Sequence, residues 1–268
     1  MLMPWQDTGV KKYMSKFSEA FKNKAFVGFL TAGDPDIETS GEYILEMVRS
    51  GADIIEIGIP FSDPIAEGEV IQAATQRALK NGVNLDKVFS LVSQIRKETQ
   101  VPVVFLTYLN PIFNYGYELF FAMCQKIGVQ GVIIPDLPYE EKEEVQISAD
   151  KYEIDLIPII APTSAKRIQK IACCANGFIY VISPGDSWST NSANMAQLKD
   201  IVKEIKKVSD APVVIGFGEP EEAEIKEAAK FCDGISAGSG IVRIIAQYGK
   251  NAAEKVCDYV KSAKKALK

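Results

Sequence analysis

Histidine is absent from this sequence of 268 residues. Histidine is the commonest general base near neutral pH and the commonest protein ligand of transition metals. Its absence removes both roles together and leaves acid–base chemistry to carboxylates, tyrosines, lysines or cysteines. We therefore expect no bound metal ion and no catalytic site built on an imidazole.

Cysteines and long apolar runs are also scarce. The five cysteines form an odd set without Cys-x-x-Cys spacing, which is typical of reduced thiols in a reducing compartment. No stretch approaches the roughly 18 to 20 apolar residues of a membrane span, and residues 1–12 contain no apolar run of signal-peptide length. We expect a cytoplasmic protein that does not contact a membrane.

The sequence also lacks a large excess of charge of one sign. The net charge is -5, and lysine and arginine are interspersed with aspartate and glutamate. This mixture creates no basic field of the kind that binding to a polyanion requires. We therefore expect no nucleic-acid partner.

What the sequence does contain is an alternation of two patterns. Short apolar runs of β-forming residues alternate eight times with longer segments of helical period, which predicts parallel strands joined by helical crossovers. No linker rich in proline, glycine or serine divides the chain. We predict an α/β fold, a single (β/α)8 TIM barrel domain over residues 1–268. The predicted strands lie near 26–31, 53–58, 103–108, 131–135, 155–160, 178–183, 212–216 and 233–237.

Helical segments fill the intervals between these strands. A last amphipathic stretch covers 241–267, and an extra N-terminal helix is predicted over 10–23. The crossover helices are predicted over 39–50, 70–80, 85–99, 117–127, 140–151, 164–174, 195–208 and 221–230.

One glutamate interrupts a strand that otherwise reads as fully buried. Glu56 lies within the apolar run 54–60, and removing its charge from water costs several kcal/mol unless the charge is paired or the pKa rises. One interpretation is that a lysine or arginine from a neighbouring helix neutralises Glu56. We favour the other, because a carboxyl group with a raised pKa in an apolar pocket is a good proton donor near neutral pH.

Further polar groups follow other predicted strands, where barrels of this class assemble their active sites. The acidic loop 61–69 is either a mobile lid or a polar connection. Tyr108 and Asp136 end two strands, and such residues either bind a ligand or cap a helix; we assign both to substrate binding. Glycine clusters at 215–218 and 237–242 predict a phosphate site, because glycines let the backbone approach an anion; tight turns are the alternative.

Seven ordered segments extend over nearly the full chain: Gly28-Phe-Leu-Thr-Ala-Gly-Asp-Pro35, Glu56-Ile-Gly-Ile-Pro-Phe-Ser-Asp-Pro64, Thr107-Tyr-Leu-Asn-Pro111, Gly131-Val-Ile-Ile-Pro-Asp-Leu-Pro138, Ala161-Pro-Thr163, Gly216-Phe-Gly218 and Gly238-Ser239. In this order they resemble the α subunit of tryptophan synthase. The resemblance implies retro-aldol cleavage of indole-3-glycerol phosphate to indole and glyceraldehyde 3-phosphate. It also implies an α2β2 complex in which a separate β subunit receives the indole and carries pyridoxal phosphate, while this chain needs no cofactor.

The resemblance also implies roles for individual residues. Glu56 stands where the family has its general acid–base carboxylate, and Glu67 where it has an aspartate that hydrogen-bonds the indole nitrogen. Three further groups follow: pocket residues Phe29, Thr31 and Tyr180; phosphate-binding residues Gly218, Gly238 and Ser239; and residues Asp63, Pro64 and Asn110 of the surface that meets the β subunit.

The chain departs from the family pattern at two places. Glu67 is longer than aspartate by one methylene group. The loop 183–191 replaces a Gly-Val-Thr-Gly lid, and there Ser189 is expected to contact substrate. With no histidine, and no lysine in any predicted strand, we predict carboxylate acid–base catalysis without a Schiff base or metal. Two alternatives remain: a non-catalytic subunit that activates the β subunit, and a lyase for another small phosphate ester.

Overall fold

The computed structural model describes residues 16–164, 167–183 and 192–268. Ser189 and most of the loop 183–191 lie outside this part of the chain, as does most of the helix predicted over 10–23. The described end of that segment, residues 16–23, forms turns, so the helix prediction is wrong there. No helix of the described residues is long and apolar enough to cross a membrane.

The strands form one sheet in which every neighbouring pair is parallel, with the order β5-β4-β3-β2-β1-β9-β8-β7-β6. Its two ends, β5 and β6, are consecutive pieces of one predicted strand. The strands of the described residues are β1 Ala25–Thr31, β2 Ile54–Gly58, β3 Val103–Leu106, β4 Gly131–Ile133, β5 Asp155–Leu156, β6 Ile159–Ile160, β7 Ile179–Ile182, β8 Val213–Phe217 and β9 Gly234–Ala237.

The break between β5 and β6 falls at Pro158, which has no N–H to contribute to a ladder. The segment nevertheless bonds to both neighbours. Ile157 N–H donates to the Val132 carbonyl at 2.9 Å, and the Pro158 carbonyl accepts from Tyr180 N–H at 3.0 Å. The sheet therefore closes on itself with eight strand positions, which confirms the predicted (β/α)8 barrel.

Helices surround this barrel, and most lie where their periodicity predicts them. The predicted helix over 241–267 is instead two helices, because the chain turns at Gly249 with φ of 53°. An additional helix, α4, was not predicted. The helices of the described residues are α1 Ile37–Arg49, α2 Glu69–Lys80, α3 Leu85–Ile95, α4 Leu109–Tyr115, α5 Tyr117–Ile127, α6 Glu143–Lys151, α7 Ile168–Ala172, α8 Ser192–Lys206, α9 Glu222–Ala228, α10 Ser239–Tyr248 and α11 Ala253–Ala266.

The interior of the barrel is apolar at the N-terminal end of its strands. Phe17, from the segment before β1, packs edge-on against Phe178 with ring centroids 5.2 Å apart. Successive inward-facing positions on a strand are two residues apart. The inward-facing side chains that follow this apolar layer along the strands therefore lie in the C-terminal half of the barrel. The apolar interior cluster contains Phe17, Val27, Ile54, Val104, Ile133, Ile157, Phe178 and Val214.

Candidate active site

A cavity of about 120 Å³ lies at the C-terminal end of the barrel. It is mainly apolar, and its polar groups come from β2, the loop after β2, β7, β9 and the start of α10. It is lined by Phe29, Glu56, Ala66, Glu67, Gly68, Ile71, Leu106, Ile133, Pro135, Ile159, Tyr180, Ile182, Gly216, Phe217, Gly218, Ser236, Gly238 and Ser239.

Glu56 is the most deeply buried acid of this cavity, with only 2% of its surface exposed. No lysine or arginine of the described residues forms an ion pair with it; instead, its Oε2 accepts a hydrogen bond from Ser236 Oγ at 2.9 Å. Burial raises the pKa of Glu56 to about 7, the Glu67 charge adds to this rise, and the Ser236 hydrogen bond opposes it. This environment fits the proton-donor interpretation of Glu56 and not its neutralisation by a basic residue.

Glu67 brings a second carboxyl group to the cavity from the loop after β2. Tyr108, which follows β3, donates its hydroxyl hydrogen to Glu67 Oε2, and the same hydroxyl oxygen accepts from Ala66 N–H at 2.8 Å. Burial raises the pKa of Glu67 above its usual value, while the Tyr108 hydrogen bond counteracts the rise. Tyr108 does not line the cavity itself. It affects the cavity by holding the loop that carries Ala66 and Glu67.

Asp136 lies beside the cavity rather than in it. Its Oδ1 accepts from Leu109 N–H, the first amide of α4, at 2.9 Å. This contact satisfies an amide that has no partner within the helix. Of the two roles open to Asp136, the structure therefore shows helix capping, although the capped helix follows β3 and not Asp136's own strand. Asp136 also lines an adjoining crevice of about 370 Å³.

The wall formed by β1 depends on Phe29 and two glycines. A Cβ atom at Gly58 would lie 2.8 Å from the Phe29 ring, and one at Gly238 would lie 3.0 Å from it. The Phe29 ring therefore packs directly against the backbone of Gly58 and of Gly238, in space that a side chain at either position would occupy. Thr31, by contrast, is buried outside the cavity, and its hydroxyl has no hydrogen-bond partner among the described residues.

Tyr180 covers the opposite wall in the same manner. A Cβ atom at Gly216 would lie 2.6 Å from the Tyr180 hydroxyl oxygen, so the phenol lies directly over the β8 backbone. Burial raises the pKa of Tyr180, and the Glu56 charge adds to this rise. The phenol is thus neutral, and it lines the same cavity as Glu56 and Glu67.

The predicted phosphate-binding residues lie together at one end of the cavity. Gly238 precedes α10 and Ser239 begins it, while Gly240 N–H donates to the Gly218 carbonyl at 3.0 Å and links the two glycine clusters. The first amides of a helix carry partial positive charge and bind anions. The amino terminus of α10 is therefore the place where a phosphate group is predicted to bind.

The residues predicted to meet a partner are exposed beside the mouth of the barrel. Asp63 and Asn110 are exposed and Pro64 is half-buried. Two apolar side chains accompany them: Ile65 has 80% of its surface exposed and Phe113 has 63%. Exposed apolar side chains rimmed by polar groups are typical of protein–protein interfaces.

The sequence patterns did not identify Ser236 as a site residue. Its signal was the two-residue period of a strand: Ser236 precedes Gly238 by two positions and therefore faces the same side of β9. Ser189 cannot be placed, because it lies outside the described residues. Within those residues, no group of three or more acidic or cysteine side chains could hold a metal ion.

Comparison with known proteins identifies the family of this chain. The family model described as "Tryptophan synthase alpha chain" matches residues 16–268. The tryptophan synthase alpha chain of Lacticaseibacillus casei is 45% identical over 255 residues, covering 95% of this chain and 96% of the relative. That of Alkaliphilus metalliredigens is 44% identical over 225 residues, covering 84% of this chain and 85% of the relative.

Solved structures give the same result. The crystal structure of the tryptophan synthase alpha chain from Legionella pneumophila superposes with a TM-score of 0.84 at 32% identity, covering 95% of this chain and 97% of that one. A chain of the tryptophan synthase a2b2 complex from Pyrococcus furiosus superposes with a TM-score of 0.83 at 31% identity, covering 91% and 98%.

Proposed function

This chain belongs to the tryptophan synthase alpha chain family, and from that premise we propose that Glu56 and Glu67 carry out the chemistry of its reaction. The chain is a carbon–carbon lyase of tryptophan biosynthesis, which cleaves indole-3-glycerol phosphate to indole and glyceraldehyde 3-phosphate. In our proposal the substrate phosphate binds at the start of α10, with Gly218, Gly238 and Ser239, and the indole ring lies between Phe29 and Tyr180.

The protonated Glu56 carboxyl group then transfers its proton to C3 of the indole ring. The bond between C3 and the first glycerol carbon breaks, and its electron pair returns to the ring, which restores the aromatic indole. The hydroxyl group on that glycerol carbon loses its proton to the Glu56 carboxylate and becomes the aldehyde of the second product. Glu56 is thereby returned to its protonated form.

Glu67 stabilises the intermediate of this sequence. Protonation at C3 places positive charge on the indole nitrogen, and a carboxylate that accepts its N–H hydrogen bond stabilises that charge. Because the Tyr108 hydroxyl donates to Glu67, it favours the charged form that this role requires. Tyr108 also anchors the carboxyl group of a side chain one methylene longer than aspartate. We infer that Glu67 is active as the carboxylate and Glu56 as the acid.

One observation supports the assignment above all: Glu56 is buried in a cavity at the strand ends, no lysine or arginine of the described residues pairs with it, and burial raises its pKa to about 7. A general acid is most effective when its pKa lies near the working pH. A purely structural glutamate at this depth would be paired with a cation.

The test is the release of indole from indole-3-glycerol phosphate by the purified chain. We expect Glu56→Gln, which keeps the shape and the Ser236 contact but has no transferable proton, to abolish release. The matched control is Glu254→Gln, an exposed residue in the first turn of α11, which should release indole at the wild-type rate. An active Glu56→Gln enzyme would reject the assigned role.

The partner of this chain is the tryptophan synthase β subunit, since its structural relatives include chains of tryptophan synthase complexes. We propose that Asp63, Pro64 and Asn110 contact that subunit, together with the exposed apolar residues Ile65 and Phe113. We also propose that pyridoxal phosphate is confined to the β subunit and that this chain acts without a cofactor. The alternative of a non-catalytic subunit rests on loop 183–191, most of which lies outside the described residues. The alternative of a lyase for another phosphate ester rests on the same loop and on Glu67 in place of aspartate.

A further inference from the structure

Ser236 and Glu56 form a buried side-chain pair across the barrel interior. The Ser236 hydroxyl donates to Glu56 Oε2 at 2.9 Å, and the two residues have 1% and 2% of their surface exposed. They are 180 positions apart in the sequence. Their strands are not neighbours either, because β1 lies between β2 and β9. The pairing of β1 with both β2 and β9 brings these two side chains together.

A hydrogen bond at this place has two physical effects. It fixes one carboxyl oxygen of a flexible side chain, so the other oxygen keeps a constant direction. It also stabilises the charged form of the carboxyl group more than the neutral form, because hydrogen bonds to ionised acceptors are roughly twice as strong as those to neutral ones. A variant without the hydroxyl therefore loses a hydrogen bond to a buried carboxyl group.

We propose that Ser236 is a positioning residue of the lyase reaction, whose hydroxyl orients the Glu56 carboxyl group towards the substrate and stabilises its charged form. The inference rests on the proposed role of Glu56. It assigns Ser236 no contact with the reacting atoms. In this proposal the hydroxyl influences the reaction through the glutamate.

The groups that set the proton affinity of Glu56 come from three elements. Glu67, from the loop after β2, raises the pKa of Glu56 through its charge, and Ser236 on β9 lowers it. Tyr180 on β7 is the other titratable side chain that faces Glu56 among the described residues; its pKa is raised by burial, and it also interacts with Ser236. Removing the serine hydroxyl removes the hydrogen bond that lowers the pKa of Glu56. Burial and the Glu67 charge remain, so the pKa of Glu56 rises.

The sharpest test compares Ser236→Thr with Ser236→Val. The two side chains have nearly the same shape, both suit a strand, and both place their added bulk towards the cavity that Ser236 lines. They differ in the hydroxyl group alone. The quantity to measure is kcat/KM for indole release as a function of pH, with Ser90→Ala on the exposed face of α3 as a control for loss of a serine hydroxyl.

We expect Ser236→Val to lower the maximum of kcat/KM about tenfold and to move its alkaline fall upward by roughly one pH unit, since one hydrogen bond to a charged group is lost. Ser236→Thr should keep the wild-type pH profile and stay within about threefold of its maximum. Identical pH profiles for the two variants would overturn the inference. If Ser236→Val does not fold, Ser236→Ala replaces it, and the same two outcomes apply.

A second measurement separates this inference from the proposed function. Infrared difference spectra follow the protonated carboxyl group of Glu56 during a pH titration, with Glu56→Gln as the blank, and need no turnover. A higher midpoint in Ser236→Val than in Ser236→Thr supports the inference even if wild-type protein releases no indole. Equal midpoints overturn it, even if the lyase activity is present.

Discussion

The Tyr108 hydroxyl connects the Glu67 loop to the barrel, and its removal should damage catalysis more than folding. In Tyr108→Phe the ring remains, and it still packs on Phe61 with centroids 5.3 Å apart. Two hydrogen bonds are lost: one donated to the Glu67 carboxylate, and one accepted from Ala66 N–H. The variant therefore tests the hydroxyl group alone.

The size of the effect follows from the charged partner. A hydrogen bond to an ionised group contributes roughly 1.5 to 3 kcal/mol, and each 1.4 kcal/mol of lost transition-state stabilisation is about tenfold in rate. We expect kcat/KM to fall roughly tenfold to a hundredfold. Loss of the hydroxyl also raises the pKa of Glu67. Because Glu67 acts as the carboxylate, the defect should be largest at low pH and should lessen as pH rises towards 7.

The assay is indole release at a series of pH values, and the matched control is Tyr152→Phe. Tyr152 also donates its hydroxyl hydrogen to a glutamate, Glu118 Oε2 at 2.9 Å, but that pair is exposed. The control should keep the wild-type rate. If Tyr108→Phe retains wild-type kcat/KM and an unchanged acid limb, the role assigned to Tyr108 is wrong.

Three further predictions concern Glu56, Gly216 and Ile65. Burial raises the folded-state pKa of Glu56 to about 7 from 4.5, so its ionisation lowers the free energy of unfolding as pH rises between these two values. In urea unfolding, Glu56→Gln should therefore be about 3 kcal/mol more stable than wild type at pH 8 and equally stable near pH 4. No gain in stability at pH 8 would contradict this prediction. Gly216→Ala should lower kcat/KM at least tenfold by displacing the Tyr180 ring; the same substitution should cost little in a Tyr180→Ala background, and equal losses in both would refute the steric explanation. Ile65→Asp should weaken binding of the β subunit at least tenfold in calorimetric titration, whereas Val208→Asp, at the opposite end of the barrel, should bind normally; equal affinities would exclude Ile65 from the interface.

Sequence patterns predicted the barrel well because its strands are buried on both faces. Runs such as 103–106 and 131–133 are continuously apolar, and little else in a chain of this size has that composition. The helix α4 was missed because the segment around Asn110 and Pro111 reads as a loop. Proline is tolerated there because it lies in the first turn, where its missing N–H is not needed. The capping contact from Asp136 comes from a different strand end and is invisible in sequence.

The site was predictable where a residue conflicts with its local surroundings. Glu56 stands out because a charge inside an apolar strand needs an explanation, and the paired glycine clusters stand out by their repetition. Ser236 does not, since a serine among small strand residues creates no conflict. Its importance arises from a partner two strands away in the barrel. Thr31 shows the converse, because its position in a family motif did not place it in the cavity.

The packing of Phe17 on Phe178 fills the N-terminal end of the barrel interior with apolar side chains. In the proposed reaction, substrate therefore enters and both products leave at the strand ends where Ile65 and Asn110 are exposed. A protein docked over that rim would receive the released indole before bulk solvent does. The apolar packing at the N-terminal end thus directs the departing product towards the strand ends. This packing lies far from every reacting atom.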